Sequence, residues 1–226
     1  MRLQWCLGEI TAEFLARMEQ LLQLYQQSYN AAYPVVCFDE RPCQLLEQVV
    51  KPLPMQPSKP LKEDSEYKRE GTCSLLVAFE PLSGERLVET SPTRKGEDYT
   101  RFMQKLANAY PDAVKIRLVQ DNLNTHSPSS FYQHLPAEQA LQLANRFEWY
   151  YTPKKASWLN MVELELSALT RICLKRRLAS MTQLDEQIQH LVKERNLAKA
   201  TVKWQFAIES ARTKLKRHYQ KINSNN

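Results

Sequence analysis

Two short runs constrain this chain most: VVCF at 35–38 and IRLVQ at 116–120, each followed at once by an aspartate, Asp39 and Asp121. Short β-branched apolar runs bounded by turn residues read as buried strands. In an open α/β sheet, sites form beyond the carboxyl ends of such strands. If the two strands are neighbours, both acids emerge side by side. Two close carboxylates repel and raise one another's pKa unless a cation lies between them. The plainer alternative is that each acid caps the following turn.

The rest of the pattern builds a sheet with helices around it. An amphipathic helix is expected over 9–29, with Thr11 as its cap, because Ile10, Phe14, Met18, Leu21, Leu22 and Tyr25 recur at helical spacing. Residues 41–72 carry five prolines among mixed charges and read as a long irregular segment. CSLLVAF (73–79) and RLVET (86–90), joined by PLSG, read as an antiparallel hairpin. Helices are expected over 96–109 and over 128–144 with a break at Pro136, and a fifth strand at 147–151. A long helix over 158–177 follows, striped by Leu159, Val162, Leu166, Leu169 and Cys173. Another starts at Thr182 with Asp185 as its capping partner, and the last covers 206–219. Hairpin first and alternation after predict an α/β fold with a mixed sheet flanked by helices.

Composition excludes several classes. Only four glycines are present, so a Gly-rich phosphate loop is absent, which weakens a small phosphate-ester enzyme as a reading. Cys6, Cys37, Cys43, Cys73 and Cys173 are odd in number and form no CxxC pair, so they read as buried thiols rather than a disulfide or zinc framework. No apolar run approaches the ~20 residues of a membrane helix, and no secretory signal is visible, so a cytoplasmic, nucleoid-associated protein is expected. Charge is uneven: residues 1–167 carry 18 Lys and Arg against 21 Asp and Glu, and residues 168–226 carry 13 against 4. A basic end on a mildly acidic body suits nucleic acid, with a solvated basic helical face as the alternative.

A third acid is available where the fifth strand turns into the long helix, in YYTPKKASWLNMVELEL (150–166). Glu163 and Glu165 flank the apolar stripe on opposite sides about equally, so periodicity does not choose between them.

The segments VVCFDERPCQLL, EYKREGTCSLLVAFEPLSG, VQDNLNTH and YYTPKKASWLNMVELELSAL resemble bacterial insertion-sequence transposases related to the mariner elements. The resemblance covers roughly 30–220. It implies a DDE-superfamily endonuclease domain with an RNase H-like, five-stranded mixed sheet, an N-terminal helix and a C-terminal helical extension. Asp39 in CFDE matches the first acid, Asp121 in QDNLNTH the second, and Glu163 the third, because the motif is Asn-x-x-Glu and Asn160 stands three residues before it. Glu165 remains the fallback. Asn122, His126 and Asn160 match auxiliary positions: Asn122 to orient Asp121 or a metal-bound water, His126 to contact the scissile phosphate or move a proton, with a structural histidine equally open. His134, His190 and His218 lack such context and are expected at the surface.

The resemblance further implies two Mg²⁺ (or Mn²⁺) ions held by Asp39, Asp121 and Glu163, with no small-molecule cofactor. Water activated there cuts the strand at a transposon end, and the freed 3′-hydroxyl attacks target DNA. Implied partners are transposon-end and target DNA and a second copy of the chain; no membrane is involved. Lys154, Lys155, Arg171, Lys175, Arg176 and Arg177 are candidate DNA-backbone contacts, with Arg212, Lys214, Lys216 and Arg217 as a second basic cluster. The division expected is a helix and linker (1–33), the catalytic domain (34–178, with 41–72 as a clamp-like loop reaching a second subunit), and basic C-terminal helices (179–226). Related transposases precede this domain with helix-turn-helix modules, and the expectation is that those modules are missing here. A non-catalytic DNA-binding or interaction remnant is the alternative function.

Overall fold

The computed structural model describes residues 9–123, 126–174 and 176–223; Cys6 and Lys175 lie outside them. Helix α1 (Ala12–Tyr25) is capped as expected, Thr11 Oγ1 accepting from the Phe14 N–H at 3.1 Å. The strands are β1 (Val35–Gln48), β2 (Tyr67–Glu80), β3 (Glu85–Ser91), β4 (Ile116–Gln120) and β5 (Phe147–Tyr151). They form one mixed sheet in the order β3-β2-β1-β4-β5. The first three strands in that order pair antiparallel, whereas β1–β4 and β4–β5 are parallel.

Helices α2 (Gly96–Ala109), α3 (Pro128–His134) and α4 (Ala137–Asn145) cover one face. Their core is built on Val36, Phe38, Leu76, Ile116 and Leu118, with Phe102, Met103 and Phe131 from the helices. The other face is covered by α1, α5 (Val162–Cys173), α6 (Met181–Leu197) and α7 (Ile208–Lys214), packed on Cys37, Leu75, Val77 and Val119. Side-chain alternation along β1 and β4 sorts the two cores: even-numbered residues 36, 38, 116 and 118 point one way and 37 and 119 the other. The five stripe residues Leu159, Val162, Leu166, Leu169 and Cys173 are all buried. A short helix α8 (Lys216–Asn223) follows α7.

Four expectations change. Residues 41–48 and 67–72 are strand rather than irregular, leaving 49–66 as the connection. Pro42 sits inside β1 opposite Ser74. Beyond Cys37, β1 no longer pairs with β4, so that side is an open edge where a residue lacking an N–H costs no ladder bond. The helix expected over 158–177 is shorter: a 3₁₀ turn (Ser157–Leu159) precedes it and it ends at Cys173. The next helix is capped by Ser180, whose hydroxyl accepts from Gln183 N–H, while Asp185 instead accepts from the Thr90 hydroxyl at 2.8 Å. The last expected helix is two short ones, α7 and α8.

Candidate active site

The parallel pairing of Val36 with Leu118 and Cys37 with Val119 carries Asp39 and Asp121 out together at one end of the sheet. By the same alternation Asp39 lies on the face covered by α5, whose first turn carries Glu163, while Asp121 directly follows the last residue of β4 at the sheet end. All three are half-buried, reachable from solvent. Burial, then repulsion from Asp121 and Glu163, pushes the Asp39 carboxyl up to about 7 against the opposing pull of the Glu40 N–H, which donates to Asp39 Oδ1 at 2.7 Å, and of His126. Three hard oxygen donors, two of them repelling the Asp39 carboxylate, form a set suited to a hard divalent cation. Among the described residues, no three such side chains are yet drawn in to coordination distance.

Glu165 is placed quite differently. It is 2% exposed and accepts two bonds from Arg195, at 2.8 and 2.9 Å. Of the two acids that periodicity left open, Glu163 faces the aspartates and Glu165 faces away into the core.

Asn160 is buried between strand and helix. Its Nδ2 donates to the Phe38 carbonyl at 2.8 Å, one residue before Asp39, and its own backbone carbonyl accepts from Glu163 N–H at 3.1 Å. One residue thus ties the backbone of the first acid to that of the third. The Tyr25 hydroxyl donates to the Leu159 carbonyl at 2.8 Å, fastening α1 to the same turn.

His126 is 1% exposed, so as placed it does not reach a bound phosphate. Its Nδ1 lies 2.6 Å from Asp121 Oδ1 and its Nε2 3.4 Å from Glu40 Oε2. Tyr99 stacks on the ring at 5.0 Å, Phe38 meets it edge-on, and Gln120 Nε2 donates to its carbonyl at 2.6 Å. Burial disfavours the charged ring, but the bonds to Asp121 and Glu40 outweigh it and push the imidazole up to about 9. An imidazole held by a carboxylate behind it and holding a site carboxylate in front is a positioning device. Glu40, Tyr99 and Gln120 were not legible as site residues. The signal available was the doubled acid Asp39-Glu40, whose side chains a strand sends to opposite faces.

Asn122 is exposed and lines a recess of about 290 Å³ with Phe14, Arg17, Pro153, Lys154 and Lys155. Lys155 holds a left-handed backbone (φ 59), an uncommon conformation for a residue with a side chain. Arg171 and Arg176 are exposed. Arg177 is engaged within the chain: it donates to the carbonyls of Asp64, at 2.7 Å, and Glu66, at 2.8 Å, and lies over the Tyr67 ring. Arg212 makes a two-bond pair with Glu19. His134, His190 and His218 are exposed, and Cys37, Cys43, Cys73 and Cys173 are buried free thiols.

Two aspartates at adjacent strand ends and a glutamate from the following helix thus share one end of the sheet, oxygen donors of the kind a hard divalent cation takes. Residues 34–185 match the model of the DDE superfamily endonucleases, and the chain belongs to that family. Its fold, an RNase H-like mixed sheet, is similar to solved structures of the Mos1 transposase. The paired-end complex with the left transposon end superposes with a TM-score of 0.59 at 15% identity, covering 88% of this chain and 62% of that one. The mariner Mos1 paired-end complex with Mg gives 0.57 at 17% identity, over 93% and 66%. The complex with Mn gives 0.57 at 15% identity, over 88% and 62%. The chain therefore spans about two thirds or less of those transposases. No curated protein matches it significantly in sequence. Among the described residues no helix is long and apolar enough to cross a membrane.

Proposed function

We propose that this chain is the catalytic part of a transposase that cleaves DNA at transposon ends and transfers the strand to target DNA. The observation that carries this reading is the convergence of Asp39, Asp121 and Glu163 on one sheet end, where burial and then repulsion from the other two raise the proton affinity of Asp39. Those three carboxylates would hold two Mg²⁺ or Mn²⁺ ions. When bound, such ions supply a nucleophile at neutral pH and stabilise the attacking and leaving oxygens of an in-line displacement. The chain's own residues do the rest. Asn160 sets the spacing between the first and third acids, and His126, backed by Glu40, aims Asp121. Lys154, Lys155, Arg171 and Arg176 hold DNA phosphates by charge, making binding salt-dependent. Asn122 faces the recess that Lys154 and Lys155 share with Glu9 and Glu13.

The same reading assigns the β1–β2 arm to subunit contact. Residues 53–72 are exposed throughout, and Leu53 (64%) and Met55 (74%) present apolar surface at the tip. A second copy of the chain would cover it. The cytoplasm, on the nucleoid, is where such a protein works.

The test is nicking of supercoiled plasmid in Mg²⁺ or Mn²⁺. Changing Asp39, Asp121 or Glu163 to Ala should abolish nicking while DNA binding survives. Normal nicking by Glu163→Ala, with loss in Glu165→Ala, would overturn the assignment of the third acid. Deleting 50–65 should weaken dimerisation in sedimentation; unchanged behaviour would refute the arm's role.

A further inference from the structure

Helix α5 carries its two acids two residues apart, about 200° around the helix and so on nearly opposite sides. Glu163 faces Asp39, whereas Glu165 is buried and serves two guanidiniums at once. Arg195 of α6 approaches with its fork, Nε to Oε1 and Nη2 to Oε2. Arg86 of β3, its side chain wholly buried, brings Nε to 2.8 Å from Glu165 Oε1, with the N–H pointing off that line, so this contact is Coulombic.

Arg86 is itself immobilised. It donates to the carbonyls of Gly84 and Ala200, lies 4.6 Å over the Phe79 ring, and its own carbonyl accepts from Asn196 Nδ2 at 3.0 Å. Gly84 (φ +79) has no room for a side chain: a Cβ would stand 2.7 Å from the Lys199 carbonyl carbon. The β2–β3 turn, the end of α6 and the middle of α5 are thereby locked into one knot.

We infer that Arg86 and Arg195 are positioning residues for the third acid, acting through Glu165 to set the rotation of α5 that presents Glu163 to Asp39. This rests on the reading of Asp39, Asp121 and Glu163 as the metal-holding acids. The lever is short and stiff. A side-chain tip rides about 5–6 Å from a helix axis, so each ~10° of rotation moves it by about 1 Å. Misplacement by about 1 Å costs a reacting centre roughly 100-fold. The guanidinium fork resists rotation because its two parallel bonds fix orientation as well as distance. On this inference α6, in the basic C-terminal part, and the distal edge strand belong to the catalytic unit although neither touches the site.

The test uses Glu165→Gln and Arg195→Lys in the 226-residue chain, with Glu163→Gln in parallel. Mn²⁺ binding is read by EPR of the free ion, plasmid nicking is resolved into kcat and KM, and folding is followed by thermal unfolding. Glu165→Gln and Arg195→Lys should remain folded, bind Mn²⁺ roughly tenfold more weakly and lose about 10- to 100-fold in kcat, with KM for plasmid unchanged. A lowered melting temperature with wild-type Mn²⁺ binding and kcat would show a purely structural knot and overturn the inference. If Glu165→Gln does not fold, Arg195→Lys decides, because it keeps the charge and loses only the fork. If Glu163→Gln leaves Mn²⁺ binding and nicking intact, the site reading itself fails, an outcome distinct from Glu163→Gln failing while the other two behave as wild type.

Discussion

Two carboxylate clusters sit on opposite sides of the same helix, and they are neutralised in opposite ways. Glu165 is 2% exposed and meets two guanidiniums supplied by the chain itself. Asp39, Asp121 and Glu163 are half-buried, and Asp39 has its proton affinity raised by burial and then by the other two, with the His126 imidazole held against Asp121. A buried acid whose charge is answered internally serves architecture. A cluster whose charge is only partly answered is built for a cation from outside.

The largest expected effect separates the clusters by chemistry. Alanine at Asp39, Asp121 or Glu163 should reduce metal-dependent nicking by ~10³-fold or more, as loss of a group acting in a concerted set does. In EDTA the melting temperatures of the Asp39 and Glu163 variants should hold or rise, because removing one of several close carboxylates relieves Asp39, whereas Asp121→Ala should lower the melting temperature by taking the partner from the buried His126. Glu165→Ala should reverse the stability effect of the Asp39 and Glu163 changes and give a smaller loss of nicking than those three alanine variants. It leaves the buried Arg86 guanidinium and the partly exposed Arg195 without their acceptor, so chemical unfolding should report a loss of about 3–5 kcal/mol.

Metal-free stability against pH sharpens the comparison further. The folded pKa of Asp39, about 7, lies above its ordinary value of 3.8, so its protonated form is the one folding favours. That contribution is full below about pH 4 and is lost as pH rises through about 7. His126, raised from 6.5 to about 9, has the same sign and adds stability that is lost as pH climbs through about 9. In EDTA, melting temperature should therefore fall between about pH 5 and pH 8, and Asp39→Asn should flatten that fall. Mn²⁺ should reverse the slope, since the metal binds the deprotonated acids.

The smallest effect concerns the fastening of α1 to the Leu159 turn. Tyr25→Phe removes the bond to the Leu159 carbonyl and should cost about 1–2 kcal/mol in denaturant unfolding, with a few-fold loss in nicking rate. A wild-type rate in a destabilised Tyr25→Phe protein would mean that α1 supports the core without steering the site.

Much of this molecule is local in origin. VVCF and IRLVQ specify strands because short β-branched apolar runs have few other ways to bury themselves, and the stripe of α5 specifies its buried face. The bounds 96–109, 116–120 and 147–151 follow from periodicity and turn residues that act within a few positions. The family motif pointed to Glu163, and the two aspartates were visible at the ends of their strands. What no local pattern contains is pairing between distant segments. The extension of β1 through Pro42 depends on β2 lying on one side and no strand on the other. The fates of Glu163 and Glu165 are indistinguishable on a helical wheel, because the wheel records only where each side chain leaves the axis. Which of them meets Arg195, 30 residues away in sequence, and which meets Asp39, was decided by how α6 and the sheet end settle on either side of α5. The partner of a buried charge is set by tertiary structure, since only there does the cost of desolvation have to be met by a specific neighbour.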